Sequence, residues 1–153
     1  MDFRLNVDTE TISQLSLEEP TCVTSVTSVR DVLRVLQQHR AGFVLVVDNE
    51  QLQGIFTERD ALRHMATGEG LDEAVSAAMT SDVVLVEKTD TVASAIEKMA
   101  RGGYRRLPVV DNGRPRGVLA VSTILHYLVE HFPEVVYTLP PHPDHSHRDR
   151  EGA

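Results

Sequence analysis

Apolar side chains in the first half of the chain change their spacing four times, and each change marks an element. A short β-branched run, Thr21–Thr24, follows Pro20 and predicts a first strand. Val29, Val32, Leu33 and Leu36 then recur at i, i+3, i+4 and i+7, which predicts a helix over Val29–His39 with one buried face. Two apolar runs, Phe43–Val47 and Leu52–Phe56, flank the polar Asp48-Asn49-Glu50 and predict a hairpin. A last helical stretch, Glu58–Met65, is preceded by Thr57, a residue type suited to cap it. The unit reads β-α-β-β-α.

The second half repeats it. Laying Gly54 on Gly117 also lays Val46-Val47-Asp48-Asn49 on Val109-Val110-Asp111-Asn112 without a gap, and Val29, Val32, Leu33 and Leu36 on Val92, Ala95, Ile96 and Met99. A duplicated unit is the expectation. In the second copy the strands fall at Val83–Val86, Leu107–Val110 and Gly117–Val121, around a turn at Asp111-Asn112-Gly113. Its helices fall at Val92–Ala100 and Ser122–His131, with Ser122 placed as the cap. The strongest similarity runs over 12–65 and 75–128, and the repeats are drawn at 8–67 and 71–132, with Ala66–Leu71, which holds Gly68 and Gly70, as the joint. From Leu139 the apolar pattern gives way to Pro, His, Asp and Arg, so 139–153 is expected to be a disordered tail.

Length and charge narrow the possible functions. A chain of 153 residues supports one good core or two small ones that lean on each other. A formal net charge of −8 argues against a general binder of nucleic acid or of an anionic membrane. Cys22 is the only cysteine and cannot form an internal disulfide, and the opening residues lack the layout of a secretory signal. No apolar run approaches the roughly 18–20 residues needed to cross a bilayer. A soluble, cytoplasmic protein is expected.

One stretch has chemistry in it. In Gly54-Ile55-Phe56-Thr57-Glu58-Arg59-Asp60 a glycine permits close backbone approach, and a hydroxyl stands at a helix start, where free N–H groups favour a phosphate. Asp60 shares a face with Thr57 on the first turn, and as a pure acceptor it suits the paired hydroxyls of a ribose. The alternative is that Thr57 only caps the helix and Asp60 only complements its dipole. At the corresponding places the second copy has Ala120 and Thr123, which supply neither group. The copies share a pattern but not this chemistry.

Three motifs in order carry a resemblance. Ala78-Met79-Thr80-Ser81-Asp82-Val83-Val84, Tyr104-Arg105-Arg106-Leu107-Pro108-Val109-Val110-Asp111, and Gly54 through Asp60 make residues 12–130 resemble a tandem pair of CBS domains, a Bateman module. The resemblance implies an α/β (α+β) fold in which two β-α-β-β-α repeats pack sheet to sheet with pseudo-two-fold symmetry. It also implies an adenosyl ligand in the cleft between them: AMP, ADP, ATP, S-adenosylmethionine or a dinucleotide, with no cofactor required. Thr57 and Asp60 would contact phosphate and ribose, while backbone groups around Cys22, Val23 and Val44 would flank the base. Arg105 and Arg106, which align with Gly42 and Phe43, would reach the phosphate from the other copy. As strand neighbours they face opposite sides, so one of them is expected to do so fully. Such modules commonly form homodimers through their helices.

The resemblance therefore implies a non-catalytic, ligand-sensing regulatory module that acts on a separate, unidentified partner protein. The alternative is a ligand-free interaction or scaffolding domain with a vestigial pocket, using an arginine edge made of Arg101, Arg105, Arg106, Arg114 and Arg116. An enzyme acting on a bound nucleotide is the weakest reading, since no catalytic pair recurs near the motif. Arg59 and Arg63 are placed either to reach a phosphate or simply to be exposed. Cys22 in a β-type run reads as a small hydrophobe. His142, His145 and His147 have a spacing that a transition metal accepts with help from another group, yet such a stretch is ordinarily solvated, and no metal site is assigned. Val136–Leu139 reads as a surface-tucked stretch in preference to a short added strand or an interaction segment. Gly68-Glu69-Gly70 lacks the third glycine of a dinucleotide fingerprint, and neither a phosphate-binding Gly-Lys loop nor a His-Glu-x-x-His segment occurs.

Overall fold

Six strands and four α-helices, joined by two single-turn 3-10 helices at Ile12–Gln14 and Val75–Ala77, make up the computed structural model, which describes residues 8–131. The strands and α-helices are β1 (Cys22–Val23), α1 (Val29–His39), β2 (Phe43–Asp48), β3 (Gln51–Thr57), α2 (Glu58–Thr67), β4 (Val86–Glu87), α3 (Val92–Gly102), β5 (Arg106–Asp111), β6 (Arg114–Ala120) and α4 (Val121–His131). The stretches 139–153 and Val136–Leu139, with the three tail histidines, lie outside the described residues.

Each unit is a three-stranded sheet, β1-β2-β3 or β4-β5-β6. In each, a short parallel first strand precedes an antiparallel hairpin, and the register shifts once, at Val46/Val47 and at Val109/Val110. Polar caps start the helices: the Ser28 hydroxyl accepts from Asp31 N at 3.1 Å, and that of Thr91 accepts from Ser94 N at 3.1 Å. Three expectations shift. The last strand of the second copy runs over Arg114–Ala120 rather than Gly117–Val121, Val121 passing to the helix. The first strand of the second copy pairs at Val86–Glu87 rather than over Val83–Val86, because only Val86 and Glu87 reach the register of β5. Helix α4 begins at Val121, so Ser122 stands inside its first turn, exposed, and is not its cap.

The packing units are not the sequence repeats. Ile12 and Leu15 lie in the core of the second unit with Val86, Leu107 and Leu119, while Val75, with Ala78 and Met79 against it, belongs to the core of the first. Each copy's leading segment thus crosses to the other copy. Four bridges fasten the exchange in matching pairs: Thr11 to Thr91 with Ser28 to Ala74, and Glu18 to Val118 with Ile55 to Thr80. The last two are each closed by two backbone hydrogen bonds of 2.9 Å. Crossing gives each small sheet a fourth neighbour and lets two cores, neither large enough alone, share apolar area.

Gly54 and Gly117 make room for the crossing chain. A Cβ at Gly54 would stand 2.8 Å from Thr80 O, and one at Gly117 would stand 2.7 Å from Leu17 Cβ. The close approach expected at Gly54 is real, but what approaches is the other copy's leading segment. At the far ends of the hairpins the units meet again, where Leu52 N donates to Gly113 O at 2.9 Å. Its counterpart in the second hairpin is Pro115, which has no N–H to return the bond.

Candidate functional site

Thr57 ends β3, opposite Phe43 of β2, and caps α2. Its hydroxyl accepts from Asp60 N at 3.3 Å, and Asp60 Oδ2 accepts from Thr57 N at 2.9 Å and from the Thr57 hydroxyl at 3.1 Å. This is a reciprocal capping box. Asp60 Oδ1 accepts from Arg63 Nη2 at 2.7 Å. The carboxylate is 5% exposed and is the one buried charged residue among those described. An ionised carboxylate has about four acceptor positions, and three donors are present here. The Arg63 side chain is 72% exposed, so it can swing away and free Oδ1. Capping is therefore what Thr57 and Asp60 do in the free chain, and it leaves an anionic acceptor fixed beside a helix N-terminus.

At the equivalent place in the second unit Ala120 is buried, Thr123 is half-buried, and neither is anionic. His126, which aligns with Arg63, lies 3.9 Å from Glu130 instead.

Between the units lies a cavity of about 210 Å³. Thr21 and the α1–β2 connection, with Arg40, Gly42 and Phe43, line it from the first unit; Arg106 and Val118 line it from the second. It adjoins the start of α2, since Glu58 N donates to Gly42 O at 3.1 Å. Of the two arginines expected here, Arg106 reaches this cavity, and its Nε donates to Glu18 Oε1 at 2.9 Å. Arg105 is exposed and is not among the lining residues; its carbonyl accepts from Val121 N at 2.9 Å.

The flanking positions divide. Val44 is fully buried in the first core, so only its backbone is available to a ligand, and Val23 packs partly against the same core. Cys22 is exposed as a residue, while its thiol is partly shielded from solvent. Partial burial, and then the nearby Glu19 carboxylate, raise its thiol above the ordinary value, which keeps it protonated and a poor nucleophile near neutral pH. Arg59 is exposed on the first turn of α2. Glu18, Glu19, His39 and Arg40 also line the cavity, and the sequence reading did not single them out for it. Glu18 and Glu19 arrive through an isolated bridge, which leaves no periodic trace.

The arginine edge is largely neutralised. Arg101 pairs with Glu97 at 2.8 Å, Arg114 with Glu50 at 3.8 Å, and Arg116 with Asp111 at 3.7 Å. Among the described residues no group of three His, Cys, Asp or Glu could hold a metal ion, and no helix is long and apolar enough to cross a membrane. Two larger cavities, about 510 and 460 Å³, are apolar grooves on the outer helix faces.

Comparison with known proteins agrees with this geometry. The CBS domain matches twice, over residues 12–67 and 75–130. A CBS domain-containing protein of Arabidopsis thaliana is 32% identical over 119 residues, 76% of this chain but 22% of that protein, so the chain spans only a fraction of that relative. A crystal structure of a CBS-domain protein from Agrobacterium tumefaciens is similar at 32% identity and TM-score 0.60, covering 72% of this chain and 90% of that one. A CBS domain protein from Pyrobaculum aerophilum, complexed with AMP, is similar at 28% identity and TM-score 0.66, covering 78% of this chain and 98% of that one.

Proposed function

Because this chain belongs to the CBS-domain family and carries two CBS domains in tandem, we propose that it is a non-catalytic regulatory module that binds an adenosyl ligand in the cleft between its units and relays that to a partner protein. The observation that carries the reading is the convergence at one cleft. Thr57 and Asp60 do not themselves line the cavity that Arg106 enters from the other unit, but the first N–H of α2 bonds to Gly42 O on its wall, which sets buried Asp60 and the helix N-terminus next to it. A ribose needs fixed acceptors and a phosphate needs cationic donors; Asp60 beside the cavity offers the first, and Arg106, once released from Glu18, offers the second. The Pyrobaculum relative complexed with AMP supports the same class of ligand. Ligand binding changes the partner's view of the protein only if the two arrangements of the units differ in affinity for it. The scaffolding alternative loses support because the arginines it would use are mostly ion-paired.

The test is thermal unfolding of the whole chain with AMP, ADP, ATP or S-adenosylmethionine. A compound at 100 times its Kd stabilises by about 2.7 kcal/mol, a rise of about 5–10 °C for a chain of this size. No rise with any of the four at millimolar concentration would sink the proposal.

The assembly we propose is a homodimer formed by the outer helix faces. The α1–α2 groove and the α3–α4 groove occupy equivalent positions in the two repeats. They expose Leu62 (63%) and Met65 (58%) on one side and Leu125 (58%) on the other. Paired apolar faces of this kind mark an interaction surface. Leu62→Glu with Leu125→Glu is expected to halve the mass seen by sedimentation velocity while leaving the circular dichroism spectrum unchanged. A wild-type chain that sediments as a monomer at high micromolar concentration would refute the dimer.

A further inference from the structure

The cleft holds its own competitor for the ligand's phosphate. Glu18 is fixed there by backbone, since its N–H and C=O both pair with Val118 of β6 at 2.9 Å. Its carboxylate holds the Arg106 guanidinium, and β5 and β6 keep both residues on the same sheet. Glu19 lines the same cavity, and the first unit adds Arg40 and His39. Leaving His39 aside, the two glutamates and two arginines balance, so those four residues give the free cleft no net charge. At about 210 Å³ it is also smaller than the roughly 300 Å³ at which ligand pockets begin, so something lining it must move for a nucleoside to enter.

Resting on the adenosyl-ligand reading above, we propose that Glu18 is a specificity-determining residue that selects an adenosyl ligand bearing a single phosphate and rejects polyphosphates. A monophosphate takes Arg106 from Glu18 and leaves the glutamates to face solvent. Each further phosphate adds negative charge beside the carboxylates of Glu18 and Glu19, with no third guanidinium among the described lining residues to answer it. Like charges in a partly desolvated cleft repel strongly, and the effect is local because salt screens it over about 8–10 Å. Among the other charged residues at this cavity only Glu19 shares the sign of Glu18, and it is Glu18, not Glu19, that holds Arg106.

The test is calorimetric titration of AMP and of ATP into the wild-type chain, Glu18→Gln and Glu130→Gln. Glutamine keeps the size of Glu18 and both backbone bonds. Glu130 is an exposed residue of α4, so its variant makes the same change in net charge away from the cleft. Glu18→Gln is expected to tighten AMP about threefold and ATP about tenfold, lowering the ratio of ATP to AMP dissociation constants at least threefold, with Glu130→Gln leaving that ratio within twofold. An unchanged ratio, an equal gain for both nucleotides, or weaker AMP binding in Glu18→Gln would each overturn the selection role while wild-type AMP binding upheld the site. A wild-type chain that binds neither nucleotide would instead remove the adenosyl-ligand reading on which the role rests.

Discussion

Asp60→Asn is expected to abolish the ligand-induced rise in melting temperature while leaving the ligand-free chain within a few degrees of wild type. The two effects separate because Asp60 carries two jobs on one carboxylate. Its Oδ2 closes the capping box by accepting from Thr57 N at 2.9 Å, and an asparagine carbonyl can take over that bond. Its Oδ1 is held only by Arg63, an exposed side chain whose ion pair contributes little to stability. An amide presents one acceptor oxygen, already used by the cap, and an NH₂ group that meets ribose hydroxyls without negative charge. At 100 times the wild-type Kd the loss is of the whole shift, about 2.7 kcal/mol. Asp60→Ala should lose the same shift and in addition about 1–2 kcal/mol of folding stability, because Thr57 N is then left without its acceptor. The pair of variants therefore distinguishes a capping residue from a capping residue that also binds. If Asp60→Asn retains the full shift, the ribose is not at Asp60.

How much of this could be read from the chain depends on the range of the interaction. Helix α1 was predicted with its observed limits, Val29–His39, because cap, apolar period and buried face all lie within one stretch of sequence. Both hairpins were legible for the same reason, their turns sitting between paired apolar runs. The exchange was not legible. Ile12 and Val75 are hydrophobic in the sequence, but nothing local says that each serves the other copy's core. The strand expected over Val83–Val86 moved for a related reason: apolar β-branched residues qualify for a strand, and pairing with β5 decides which of them form one. At the site, Thr57 and Asp60 were visible as a spacing, and Arg106 only through the family resemblance and only as one of the pair Arg105 and Arg106. Glu18 became visible only once β6 had brought it to Arg106.

Gly54→Val is expected to destabilise the chain more than any surface substitution, and the reason is steric rather than conformational. Gly54 is not among the described glycines with positive φ, which are Gly68, Gly70, Gly103 and Gly113, so any residue could adopt its backbone angles. What excludes a side chain is Met79 Sδ at 2.6 Å and Thr80 O at 2.8 Å from the added Cβ. Met79 can change rotamer, but Thr80 O is held by Ile55 N at 2.9 Å, so a Cβ forces the crossing segment off the edge of β3. Overpacking of this kind costs about 1–3 kcal/mol before the loss of the Ile55–Thr80 bonds is added. Urea unfolding should show Gly54→Ala lowered by about 2 kcal/mol and Gly54→Val by more, while Gly68→Ala, whose Cβ meets nothing within 4 Å, pays only for its left-handed angle, about 1 kcal/mol. Because Val75 and Met79 enter the first core on the displaced segment, and Ile12 enters the second by the matching route, damage at Gly54 cannot stay in one unit. The wild-type chain should accordingly unfold in one transition by fluorescence and by circular dichroism alike. Two resolved transitions would mean that the exchanged segments do not couple the cores, and a Gly54→Ala chain as stable as wild type would mean that Thr80 does not lie against this glycine in solution.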